Sequence, residues 1–127
     1  MKDQQKKRPE NLNLLTIRFP LPAIASILHR ISGVILFLMI PLLLYALHAS
    51  LASQSDFDAL RESLTSPLAK LVFWILGSAF IYHFIAGIRH LLMDINIGIE
   101  LKSGKLTALI TLILSVLLIV LMGIWLW

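Results

Sequence analysis

The 22 residues from Leu106 to Trp127, LTALITLILSVLLIVLMGIWLW, contain no ionisable side chain. A hydrocarbon core about 30 Å thick takes roughly 20 helical residues to cross, so this stretch can span a bilayer. Two comparable stretches lie upstream. Ile31–Leu51 has 21 residues without an acidic or cationic side chain apart from titratable His48. Leu71–Ile88 has 18, and its ionisable groups are His83 and the phenol of Tyr82. None shows the alternating polarity of a barrel strand. The chain therefore reads as an all-α membrane protein with three transmembrane helices, at about 27–52, 68–93 and 106–127.

Composition agrees. Of 127 residues, 58% are hydrophobic and 14% charged, against roughly half and a quarter in soluble domains. So few charges cannot cover the large relative surface of a small soluble domain, which excludes a free cytosolic enzyme and a disordered tail. The absence of cysteine removes disulfides, thiolate metal sites, iron–sulfur clusters held by this chain and cysteine nucleophiles. The net charge of +4 sits in short polar stretches between apolar ones, so the expected partner is membrane lipid rather than nucleic acid.

Lys2, Lys6, Lys7, Arg8 and Arg18 precede the first span, and Lys102 and Lys105 lie between the second and third. In the other connection, Arg61 and Lys70 are offset by Asp56, Asp58 and Glu62. The positive-inside rule then puts the N-terminus in the cytoplasm and, after three crossings, the C-terminus outside, with Trp125 and Trp127 as interfacial anchors. Ser50-Leu51-Ala52 has the look of a signal-peptidase site, but the apolar run is too long and too far from the N-terminus for a cleaved signal. Residues 1–22 are read as a cytoplasmic segment and 23–127 as the membrane domain. Helix one is expected to start near Ala23, after Pro20 and Pro22. Pro41 should kink it, leaving the Phe37 carbonyl without its helical donor. Ser53–Ser66 and Ile95–Lys105 are expected to be loops, the second broken by Gly98 and Gly104.

Ionisable groups inside a span are costly and are functional candidates by default. His83 lies 13 residues past Lys70 and 11 before Asp94, and Ala86, Gly87 and His90 share its helix face. It is either a neutral imidazole bonded to a neighbouring helix or a cofactor ligand. Its place in a span beside small residues favours ligation, and haem is the natural candidate, since imidazole is its common ligand and bundles house it between helices. Ser26, His29 and Arg30 share one face where helix one enters the membrane. They form either an interfacial cluster reaching headgroups or a polar pocket, and the three together favour the pocket. Arg89, His90 and Asp94 lie at the other end of the second span, where Asp94 reads as a water-boundary marker. His48, alone near the outer end of helix one, reads as structural.

Arg8-Pro9, Thr16-Ile17-Arg18-Phe19-Pro20 and Ser26-Ile27-Leu28-His29-Arg30-Ile31-Ser32-Gly33 resemble the first motif of the cytochrome b556 anchor subunits of succinate dehydrogenase. His83-Phe84-Ile85-Ala86-Gly87-Ile88-Arg89-His90-Leu91-Leu92-Met93-Asp94 resembles the second. Departures are Glu10 after Arg-Pro and Asn96 just past the second motif. The resemblance implies a complex II anchor in the bacterial inner membrane, forming half of a heterodimeric helix bundle. It implies haem b with His83 as an axial ligand to iron, and Ser26 and Arg30 lining a quinone site. His29, Arg30, Arg89 and His90 would be contacts to the haem propionates. Its implied partners are a second membrane anchor, an iron–sulfur subunit and a flavoprotein subunit, the last carrying the succinate chemistry. A fumarate reductase-type anchor is the near alternative. A small transporter or proton channel using the same His and Arg as relays is the alternative of another class, though no repeat is visible.

The second axial ligand is expected from another subunit. Two imidazoles on one iron need nitrogens about 4 Å apart. His83 lies six residues deeper than Arg89, about 9 Å. If Arg30 and Arg89 share a depth, helix one reaches the His83 level near Leu36 and helix three near Ile110–Leu112, where neither offers a histidine or methionine.

Overall fold

The structure, a computed structural model, describes residues 16–127. Most of the anticipated N-terminal segment, with Arg8-Pro9 and Glu10, lies outside them. Four helices follow: α1 (Leu21–Ala52), α2 (Gln54–Ser63), α3 (Pro67–Asp94) and α4 (Leu101–Leu126). Three of them, α1, α3 and α4, are long and apolar enough to cross a membrane. Among the described residues there is no strand.

Their ends follow from local chemistry. Pro20 is extended and Pro22 falls in the first turn of α1, where a missing N–H is harmless, so the helix starts at Leu21 rather than Ala23. It then runs through Pro41 to Ala52. Ser53–Ser66, expected to be a loop, holds α2 instead. Ser53 Oγ accepts from Asp56 N at 3.1 Å and donates to its carboxylate at 2.6 Å, an N-cap with an acid in the positive first turn. Ser53 and Asp56 thus cap a short helix within the stretch expected to be a loop. Ser66 caps α3 by accepting from Ala69 N, with Pro67 as the first helical residue.

After α3 the chain turns through Asn96, whose φ is +64°. Asn96 N donates to Met93 O at 3.0 Å and Ile97 N to Leu92 O at 2.9 Å, the paired bonds of a Schellman ending. Gly104 was expected to break this connection. It lies inside α4, which begins at Leu101, and a side chain there would press on Gly98 O at 3.2 Å.

α3 is the middle helix, packed on both α1 and α4. Small residues make up most of the buried set, Ala25 and Ser32 of α1, Ala79 and Ala86 of α3, and Ala108, Thr111 and Ser115 of α4, beside Tyr82 and Arg89, while most of the described leucines, isoleucines and phenylalanines are exposed and none is buried. This inversion of a soluble core suits lipid, where apolar side chains gain nothing by leaving the tails and close backbone approach supplies the packing. The buried serine hydroxyls are satisfied within their own helices, Ser32 donating to His29 O at 2.8 Å and Ser115 to Thr111 O at 2.7 Å. Trp74 Nε1 ties α3 to α4 by donating to Ile119 O at 3.1 Å.

Candidate functional site

Gly33 of α1 faces the His83 imidazole of α3. A methyl group on Gly33 would come within 3.0 Å of His83 Cε1, so the glycine leaves room for the imidazole that any side chain would narrow. His83 Nδ1 lies 3.1 Å from the His29 carbonyl and 3.1 Å from Ser32 Oγ. The buried Ser32 hydroxyl itself donates to the same carbonyl at 2.8 Å. A carbonyl can only accept, so Nδ1 carries the ring proton and shares it between the two oxygens. Nε2 is left as the bare nitrogen, with no hydrogen bond among the described residues.

The His29 ring stacks on His83, centroids 4.1 Å apart and planes 16° from parallel. His90 lies beyond it, its centroid 4.9 Å from that of His29 and tilted by 38°. Three histidines that the sequence places on two helices thus form one continuous cluster. His29 Nε2 is buried without a hydrogen-bond partner among the described residues. A methyl on Gly87 would lie 3.7 Å from it. Above the cluster, the buried Tyr82 hydroxyl donates to Ala25 O at 2.9 Å, fixing the turn of α1 that carries Ser26.

The depth estimate from sequence is corrected here. His83 is level with His29–Gly33, not with Leu36. Arg30 and Arg89 do not share a depth: with His83 beside His29–Gly33, Arg89, six residues on, stands about 9 Å nearer the start of α1, and its side chain belongs to the α3–α4 contact. It is buried, with Nε donating to Thr107 Oγ1 at 3.2 Å and a terminal nitrogen to Gly104 O at 3.3 Å. The structure therefore brings His29, His83 and His90 together and engages Arg89 with α4. Arg30 is exposed and Ser26 half-buried, one helical turn apart on α1. A groove of about 330 Å³ between α1, α2 and α3 is lined by residues such as Leu43, Tyr45, Leu64 and Phe73, at the opposite end of the helices from Ser26 and Arg30. His48 is exposed, and Asp94, the last residue of α3, is exposed too.

Sequence reasoning gave no role to Ser32, Gly33 or Tyr82. Ser32 and Gly33 stand three and four residues after His29, a spacing that places them on its face. That signal was available.

Chemically, the cluster offers one imidazole with its tautomer set and a free nitrogen. His29 cannot be its partner across one metal ion in this arrangement. Two imidazoles on opposite sides of an ion meet edge-on, nitrogen to nitrogen, whereas these rings lie face to face. Among the described residues no set of three or more His, Cys, Asp or Glu could hold a metal ion alone.

Residues 4–122 match the family described as succinate dehydrogenase/fumarate reductase transmembrane subunit. The chain belongs to this family. It is 44% identical over 122 residues, 95% of this chain and 98% of the relative, to the succinate dehydrogenase cytochrome b556 subunit of Coxiella burnetii. The subunit of the same name from Rickettsia bellii is 31% identical over 91% of this chain and 90% of its own length. That of Paracoccus denitrificans is 35% identical over 76% of this chain and 75% of its own. With three membrane-spanning helices and bacterial relatives along nearly its whole length, this family member is a multi-pass protein of the bacterial inner membrane.

Proposed function

We propose that this chain is a membrane-anchor cytochrome b subunit of a succinate:quinone oxidoreductase. In this reading it binds haem b together with a second membrane subunit and contributes to the site where quinone is reduced. The observation that carries the reading is the state of His83. Its Nδ1 is held by the His29 carbonyl and Ser32 Oγ, so its Nε2 would be free to hold iron. The relatives named as cytochrome b556 subunits support haem b as the group.

Haem, when bound, supplies a one-electron site within the membrane. The residues of this chain do the rest. His83 Nε2 would hold the iron together with a residue of the partner membrane subunit, since His29 is stacked on His83 and cannot serve as its fellow ligand. His29, whose Nε2 is buried without a hydrogen-bond partner among the described residues, and His90 are the contacts proposed for the propionates. Arg89 is a weaker candidate for that role, its guanidinium being bonded to α4. Ser26 and Arg30 would hold the quinone. Both sit near the start of α1, where protons from water can reach a quinone that takes up two on reduction, and Arg30 supplies positive potential and a donor to the reduced oxygen. The N-terminus is cytoplasmic in this reading, which puts Ser26 and Arg30 on the side of the iron–sulfur and flavoprotein subunits. A transporter finds no support in the relatives, and their names favour succinate oxidation over fumarate reduction.

The test is His83→Ala in the assembled complex. Loss of the low-spin haem spectrum, with the other subunits still co-purifying, is expected. An unchanged spectrum refutes the assignment.

A further inference from the structure

We propose that Ser32 is a positioning residue for His83, reinforcing with a second acceptor the Nδ1–H tautomer that the His29 carbonyl sets, holding the plane of the imidazole and thereby tuning the electron affinity of the group it binds. This rests on the reading of His83 as a haem ligand and goes beyond it, because Ser32 is neither a ligand nor a quinone contact.

The geometry leaves the hydroxyl one role. Ser32 is 5% exposed, on the α1 face that meets α3. Its proton is committed to the His29 carbonyl, three residues back, at 2.8 Å. Its lone pairs are therefore what faces His83 Nδ1 at 3.1 Å. The His29 carbonyl, also 3.1 Å from Nδ1, takes the other share of that proton. Two acceptors on one N–H make the ring more basic at its other nitrogen and hold its plane. The stacked His29 ring, 4.1 Å away, and the backbone of Gly33 confine it on further sides. Serine suits this position for its size as well: it is small, and its hydroxyl oxygen reaches Nδ1 beside the His29 carbonyl.

A ring with weaker Nδ1 hydrogen bonding donates less charge to a ferric ion, so removing the hydroxyl should favour the reduced form. Ser32→Ala, made in the full complex in its host membrane, is expected to keep the low-spin spectrum but to move the haem midpoint potential positive. Haem should dissociate on the order of 10-fold more readily, the usual loss for an outer-shell partner. Ser32→Thr, which restores an oxygen at the same atom, is expected to return the potential towards the parent value. A purely structural role would lower thermal stability in the alanine variant and leave the potential unmoved. An unshifted potential in Ser32→Ala refutes the proposal, as does a shift that Ser32→Thr fails to reverse. His83→Ala run alongside separates the two readings: if it keeps the haem, the ligand assignment has failed, and if it loses the haem while Ser32→Ala matches the parent, only the role of Ser32 has failed.

Discussion

Replacing Gly33 with alanine should disturb the cofactor site through a single atom. The added methyl would stand 3.0 Å from His83 Cε1 and 3.4 Å from Nδ1, and ordinary contact begins near 3.4 Å. The ring must therefore withdraw by about 0.4 Å, the difference between those two figures. It has little freedom to do so. His29 is stacked on it at 4.1 Å, and two 3.1 Å hydrogen bonds hold Nδ1. Stretching both bonds forfeits part of about 0.5–1.5 kcal/mol each, and a twist of χ out of its well costs a similar amount. Against this, alanine is worth roughly 0.5–1 kcal/mol more than glycine inside a helix. The net loss should be about 1 kcal/mol, equivalent to several-fold weaker haem retention. Gly33→Val adds further methyls with a stiff χ1 and should lose most of the haem. The assay is haem content per complex with its reduced-minus-oxidised spectrum, normalised to the co-purified partner subunits. Full haem and an unaltered spectrum in both variants would refute the reasoning.

Tyr82→Phe removes the bond from the phenol to Ala25 O, 2.9 Å long and buried. It should cost about 1 kcal/mol, seen as a lower thermal midpoint of the complex with its haem spectrum intact. Arg30→Leu and Ser26→Ala should impair quinone reduction more than succinate oxidation by artificial dyes, because both residues belong to the proposed quinone end of α1. Equal losses in the two assays would point to failed assembly instead.

The three spans were legible because bilayer thickness is a coarse ruler, and runs such as Leu106–Trp127 exceed it with no ambiguous residue. The connections were harder for a physical reason. Ser53 and Asp56 are turn formers and helix cappers alike, and only the bonds between them decide which. Gly104 reads as a breaker by propensity, yet α4 accepts it, because packing in the membrane rewards a missing side chain more than propensity penalises it.

The histidine cluster shows the same limit at finer scale. His83 and the α1 motif were legible as polar groups in apolar stretches, but their relative depth was not. Counting 1.5 Å per residue from two arginines assumes that both mark one plane. They do not: Arg89 is buried in the α3–α4 seam, where Thr107 and the Gly104 carbonyl receive it, while Arg30 lies exposed at the level of His83, six residues before Arg89. A long side chain can reach a partner well above or below its own Cα, so charges are poor depth markers. Small residues serve better. Backbones can approach closely only where both helices allow it, and on α1 that point is Ser32-Gly33, facing His83 with Ala86 and Gly87 beyond it. Aligning the helices on these residues, rather than on the arginines, sets His83 beside His29 and makes Ser32 its neighbour.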